Sequence, residues 1–181
     1  MDSKILNLMD RLASKDDSDR LDALKSILKI TESKVDWFED AYPIMLSKLS
    51  DENSYQRSIG LMVICNIAKS DKTNRIENDL SHILKHTSDE KFITSRQCIQ
   101  NIWKIAIVNE KNCKTIIDHL KILFIKCDGE KHYNLLRQDI LQSLNEISKI
   151  KENTKLKAEI LELIEKESNI KYMSKYKSLI K

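Results

Sequence analysis

At 181 residues the chain is long enough for one domain, hiding roughly 70% of the surface its unfolded form would expose. Two glycines (Gly60, Gly129) and one proline (Pro43) leave almost no material for tight hairpins or glycine-rich phosphate loops, and abundant Lys, Glu, Leu and Ile point to an all-α fold. The formal net charge of +3 excludes a uniformly polybasic or polyacidic chain, but its halves differ: residues 1–90 hold 13 Lys+Arg against 17 Asp+Glu, net −4, and residues 91–181 hold 18 against 11, net +7.

In chain order, residues 1–32 read as a helix pair. A first amphipathic helix carries Ile5, Leu8, Met9 and Leu12, an acidic corner follows at Asp16-Asp17-Ser18-Asp19, and a second helix begins at Arg20. Residues 33–70 repeat this plan: a helix from about Lys34 to Leu49, with Ser33 and Asp36 placed as cap and third residue, a corner at Asp51-Glu52-Asn53, and an apolar helix over Ile59–Ala68. In residues 71–110 the first helix starts after Asn74, with Glu77 three on, and carries Ile76, Leu80, Ile83 and Leu84 before the corner Asp89-Glu90-Lys91. In residues 111–151 it follows Asn112, with Ile116, Ile117, Leu120, Leu123 and Phe124, and turns at Asp128-Gly129-Glu130. Residues 152–181 open at Asn153 with Leu156, Ile160, Leu163 and Ile164, and Tyr172–Ile180 forms a short final helix that caps the stack.

One arginine opens the second helix of each of four units: Arg20, Arg57, Arg96 and Arg137, at intervals of 37, 39 and 41. Three residues after each stand Ala23, Gly60, Ile99 and Ile140; seven after, Ile27, Ile64, Trp103 and Leu144; ten after, Ile30, Ile67, Ala106 and Ile147. These offsets line one helical face, which predicts a shared core column with equivalent helices side by side. The arginines are expected to be framework, paired with corner acids such as Asp51, Asp89 or Asp128, because a partly buried guanidinium is costly without such a partner.

Pro43 in the first helix, Asp51 at the corner, Arg57 opening the second helix and the small Gly60 three residues on make the Tyr42–Lys69 stretch resemble a HEAT repeat. The other units lack the proline, and the third and fourth have Ile in place of the small residue. The resemblance implies a short right-handed HEAT-like α-solenoid of about four to five antiparallel helix pairs, and a scaffold or binding surface in place of an enzyme.

The best candidate site lies on the second helices, away from the core column. Gln97, Asn101 and Lys104 in the third unit, and Gln138, Gln142 and Asn145 in the fourth, form a column of amides with a lysine or asparagine beside it. Amides donate and accept at once, as recognition of a peptide backbone or a base edge requires. The similar armadillo class binds extended peptides with asparagines on this inner face. In the first two units the same columns hold Leu21 and Lys25, then Ser58 and Met62, so the amide character stops midway. A protein or peptide is the expected partner. Nucleic acid is the alternative, through the basic C-terminal half and Lys69, Lys104 and Lys149, in a manner resembling the HEAT-like DNA glycosylases.

Other features read as structural. Tyr172, Tyr176 and Leu179 face inward from the last helix while Lys171, Lys175, Lys177 and Lys181 face out. His82 and His86 are four apart but lack a third ligand, so no metal or other cofactor is expected. Trp103 belongs to the core column, whereas Trp37 points off the apolar stripe as a contact residue. Cys65, Cys98, Cys113 and Cys127 show no C-x-x-C spacing and sit in or beside apolar runs, as reduced thiols do. With no signal-peptide pattern and no apolar run of ~20 residues, the expected location is the cytoplasm.

Overall fold

The computed structural model describes residues 1–180, which are helical with no strand among them. The helices cluster into two compact units, Met1–Lys104 and Ile105–Lys181. The first holds α1 (Ser3–Arg11), α2 (Asp17–Ile30), α3 (Phe38–Ser47), α4 (Ser54–Ile67), α5 (Arg75–Lys85) and α6 (Phe92–Asn101). The one-turn helix α7 (Trp103–Ala106) contains the boundary, and the second unit holds α8 (Glu110–Lys126), α9 (Tyr133–Ile150), α10 (Thr154–Glu165) and α11 (Ile170–Leu179). No helix among the described residues is long and apolar enough to cross a membrane.

In the first unit α1 packs on α2 and α3 on α4, and the second helices lie in a row, α2 against α4 and α4 against α6. Hydrogen bonds between successive repeats recur, α3 to α5 as well as along the row of second helices. The Tyr42 hydroxyl donates to Asp79 at 2.9 Å, the Ser58 and Thr94 hydroxyls meet at 3.0 Å, and Asn66 Nδ2 donates to Thr31 Oγ1 at 3.2 Å. In the second unit α8 packs on α9, and α9 lies against both α10 and α11. There Lys121 pairs with Glu159 at 2.8 Å and the buried Tyr176 donates to the Asn134 carbonyl at 2.9 Å.

The core column is buried at Ala23, Gly60, Ile99 and Ile140, and at Ile27, Ile64 and Leu144. Trp103 leaves it and is only half-buried. The helix breaks between Asn101 and Trp103, shifting the register so that Ile102 and Ile105 take the buried places. Trp37, expected at a contact surface, is buried at 8% exposure and stands at the start of α3. That helix begins at Phe38, not near Lys34, and Ser33 and Asp36 do not cap it; the Val35 amide instead donates to Ser70 Oγ at 2.9 Å.

Side chains in the connecting segments start several helices. Asp16, Asn109, Asn153 and Asn169 accept amide hydrogens in the first turns of α2, α8, α10 and α11. At α5 the cap comes from further out. Asn74 is left-handed (φ 58°) with no side-chain cap bond, and the Asp71 carboxylate accepts from the Arg75 and Ile76 amides at 3.1 and 2.9 Å. Gly60 is where α3 and α4 touch: a Cβ there would stand 2.7 Å from the Met45 carbonyl oxygen and 3.1 Å from Leu49.

Candidate functional site

The repeat arginines sit at the N-terminal ends of the second helices and turn back into the corners. Arg57 makes a two-pronged pair with Asp89, Nε to Oδ2 and Nη2 to Oδ1, both 2.8 Å, and its Nη1 donates to the Asp51 and Glu52 carbonyls at 2.8 and 3.0 Å. One guanidinium thus holds the corner of its own repeat and the acid of the next. Arg137 does likewise with the Phe124 carbonyl (3.1 Å), Asp128 (3.1 Å) and Glu167 (2.8 Å), and lies 4.6 Å over the Phe124 ring. Arg20 donates to the Ser14 carbonyl at 2.8 Å, pairs with Asp17 and covers the Tyr55 ring, and Arg96 lies 5.8 Å over Phe92. Burial by itself would raise the Asp89 carboxyl, but hydrogen bonds from Arg57, the Lys91 amide and His86 outweigh it and hold the group at about 2.

A different arrangement stands at the C-terminal ends of the same helices in the first unit. Lys104 Nζ donates to Asn66 Oδ1 at 2.6 Å and to Asn101 Oδ1 at 2.7 Å. Asn66 passes the chain on through Nδ2 to Thr31 Oγ1 and to the Leu28 carbonyl at 3.3 Å, and Asn101 Nδ2 closes on the Gln97 carbonyl at 2.9 Å. Three successive second helices are therefore laced by one polar ladder. One turn beyond Asn66, Lys69 Nζ donates to the Glu32 carbonyl at 2.8 Å. Burial lowers the Lys104 ammonium, the Lys69 charge adds to this, and the nearby Cys65 thiol opposes it. Gln97, Asn101, Lys104 and Lys69 are all half-buried, with the half-buried Trp103 ring 5.7 Å from the Lys104 ammonium.

In the second unit the three amides of α9 part company. Gln142 is exposed. Gln138 is half-buried, and its Oε1 is buried without a hydrogen-bond partner among the described residues. Asn145 is buried at 4% exposure and donates to the Leu179 carbonyl at 3.3 Å, tying α11 onto α9. The structure thus gives Asn145 an internal partner, and Lys104 and Asn101 partners in each other.

Sequence reasoning missed Asn66 and Thr31. The available signal was a single amide inside the apolar run Ile59–Ala68, which a purely hydrophobic helix would not carry.

The remaining candidates resolve as packing. His86 Nδ1 faces Asp89 Oδ2 at 3.0 Å and its ring lies 5.7 Å from that of His82. No group of three or more metal-ligating side chains occurs among the described residues. Tyr172 meets Tyr133 edge-on at 6.1 Å and lies 6.4 Å from Tyr176, while Lys171, Lys175 and Lys177 are exposed; Lys181 lies outside the described residues. An open groove of about 710 Å³ runs between α1 and α2 past Lys4, Asn7, Arg11 and Lys29, with Arg11 already paired to Asp19 at 2.7 Å.

No family model matches the chain, and no curated protein matches it. Its fold is similar to the crystal structure of an engineered protein from the Northeast Structural Genomics Consortium, with a TM-score of 0.63 and 14% identity, covering 99% of this chain and 78% of that one. A likeness at that identity is one of fold.

Proposed function

We propose that the chain is a non-enzymatic binding or scaffold protein of HEAT-repeat type, working in the cytoplasm, that takes a protein or peptide partner on the polar faces of its second helices. The observation that carries this reading is the ladder Thr31–Asn66–Lys104–Asn101, in which the buried Thr31 and Asn66 hold the half-buried Lys104 ammonium and Asn101 amide in fixed places. Polar groups ordered in advance lose less freedom when a partner arrives. Gln97 on α6, and Gln138 and Gln142 on α9, extend the same chemistry within their own units. The paired repeat and the fold class support a recognition surface over a catalytic one.

The test is the double substitution Gln97→Ala with Gln142→Ala. Partners captured from native cell extract by the wild-type chain and identified by mass spectrometry are expected to be lost or strongly depleted with the variant, while helicity and melting stay the same. Undiminished capture refutes the reading. A nucleic-acid-binding reading is favoured by one observation, the excess of basic residues in 105–181, 15 Lys+Arg against 11 Asp+Glu. It requires an affinity for duplex DNA or RNA that falls steeply with salt, and no binding at low ionic strength removes it.

A further inference from the structure

The two lysines of the ladder face are half-buried cations held only by neutral oxygens, a property they share in the first unit with Lys48, which donates to Gln56 Oε1 but has the Asp51 charge nearby. Arg57, Arg20 and Arg11 are each paired with a carboxylate. Lys104 is held only by the amide oxygens of Asn66 and Asn101, and Lys69 only by the main-chain carbonyl of Glu32. An ammonium has three donors, and Lys104 uses two. The two charges are close enough for Lys69 to disfavour the charged form of Lys104.

Lys69 lies in the single 3-10 turn that follows α4, and Lys104 is the second residue of the one-turn helix α7, three residues past the end of α6. The C-terminal end of α4 carries about half a negative charge, which offsets part of the Lys69 charge and leaves the pair net positive. We infer that Lys69 and Lys104, with the Asn66 and Asn101 amides between and beside them, form a pocket for one side-chain carboxylate of an acidic peptide. This inference rests on the peptide-binding reading above.

The charge of the unit favours a carboxylate over a phosphate backbone. Residues 1–104 hold 16 Lys+Arg against 17 Asp+Glu, and Arg11, Arg20, Arg57 and Arg75 are already paired with carboxylates, so no basic track continues from the lysine pair along which successive phosphates could lie. Gln97, one helical turn from Asn101, supplies an amide for the peptide main chain, and Trp103 gives an apolar wall beside the carboxylate.

The test uses the full chain and three short fluorescent peptide pools, random except for a central residue fixed as Glu, Gln or Lys, with binding read by anisotropy. The wild type is expected to bind the Glu pool about tenfold more tightly than the Gln pool, as a charge-assisted bond to a carboxylate gives, and the Lys pool most weakly. Lys104→Met and Lys69→Met should each abolish the preference with helicity unchanged, and Lys104→Arg should keep it. If Lys104→Met does not fold, Lys69→Met and Lys104→Arg decide. Equal binding of the Glu and Gln pools by the wild type overturns the carboxylate pocket while leaving peptide recognition standing. Absence of binding to all pools overturns both, and a Lys104-dependent affinity for labelled DNA without a Glu preference overturns it in favour of phosphate.

Discussion

Replacing Asp89 with Asn tests the arginine-to-corner coupling at its best-defined point. The side chains of Arg57 and Asp89 are 9% and 4% exposed and meet through two bonds of 2.8 Å. Holding the carboxyl at about 2 instead of its ordinary 3.8 contributes about 2 kcal/mol, at about 1.4 kcal/mol for each tenfold in acidity. Asn removes this and leaves a buried guanidinium short of its counter-charge, so the total loss near neutral pH is about 3 kcal/mol. The exposed Glu90, 3.5 Å away, recovers little of it. Because the folded-state acidity is increased, the carboxylate's contribution is present above 3.8 and disappears as pH falls through about 2. The gap between wild type and Asp89→Asn should therefore be constant near neutrality, narrow below pH 3.8 and be nearly gone at about 2. Urea unfolding followed by tryptophan fluorescence is the suitable assay, since Trp37 and Trp103, the chain's two tryptophans, both lie in the Met1–Lys104 unit that contains the pair. A gap under about 1 kcal/mol near neutral pH, the size of an exposed pair, or one that does not change on acidification, refutes the reasoning.

The same logic predicts that Glu167→Gln, which strips Arg137 of a fully buried partner at 2.8 Å, costs about 3 kcal/mol in a far-UV circular dichroism melt; a neutral result would show that Asp128 alone suffices. Gly60→Ala gains about 1 kcal/mol of helix propensity but forces α3 away from α4 at the Met45 carbonyl, so the variant should be less stable by about 1 kcal/mol in the same urea assay, and a stabilised variant would contradict the close approach. Burial pushes the Cys65 and Cys127 thiols up to about 12 and about 11 and raises Cys98 and Cys113 as well. A disulfide-exchange reagent should therefore label none of the four cysteines within minutes in the folded chain and all four in denaturant, with fast native labelling as the contrary result.

What could be read in the sequence was whatever depends on spacing along one helix. The arginine column, the acids at the corners and the burial of Ala23, Gly60, Ile99 and Ile140 follow from offsets within single segments. Readings that needed a helix to stay unbroken or to begin at a particular residue did less well. Trp103 left the core because α6 ends at Asn101, and Ser33 failed as a cap because the chain is still turning as far as Trp37. The site was half legible. Lys104 and Asn101 stood in the amide column, but their link to Asn66 and Thr31 crosses two helix boundaries and no periodicity within one helix reports it. Asn145 shared the column's spacing with Lys104, yet α11 lies over it, which only the packing of the last helix could reveal.

The second helices use their two ends for different physical work. At the N-terminal ends, Arg57 and Arg137 meet carboxylates and main-chain carbonyls of the corners, and the charges are matched within the chain. Just beyond the C-terminal ends of α4 and α6 the cations are lysines, compact charges with freely rotating donors, and they meet only neutral oxygens. A guanidinium locked in a fork is suited to holding one repeat on the next. An ammonium with a donor to spare is suited to a ligand that comes and goes. Exchanging the two should therefore separate the roles: Arg57→Lys loses the fork and is expected to lower stability by about 1 to 2 kcal/mol without altering a Glu preference in peptide binding, whereas Lys69→Met should do the reverse. If Arg57→Lys were as stable as wild type, or if Lys69→Met unfolded the first unit, the two ends would not be divided between framework and recognition.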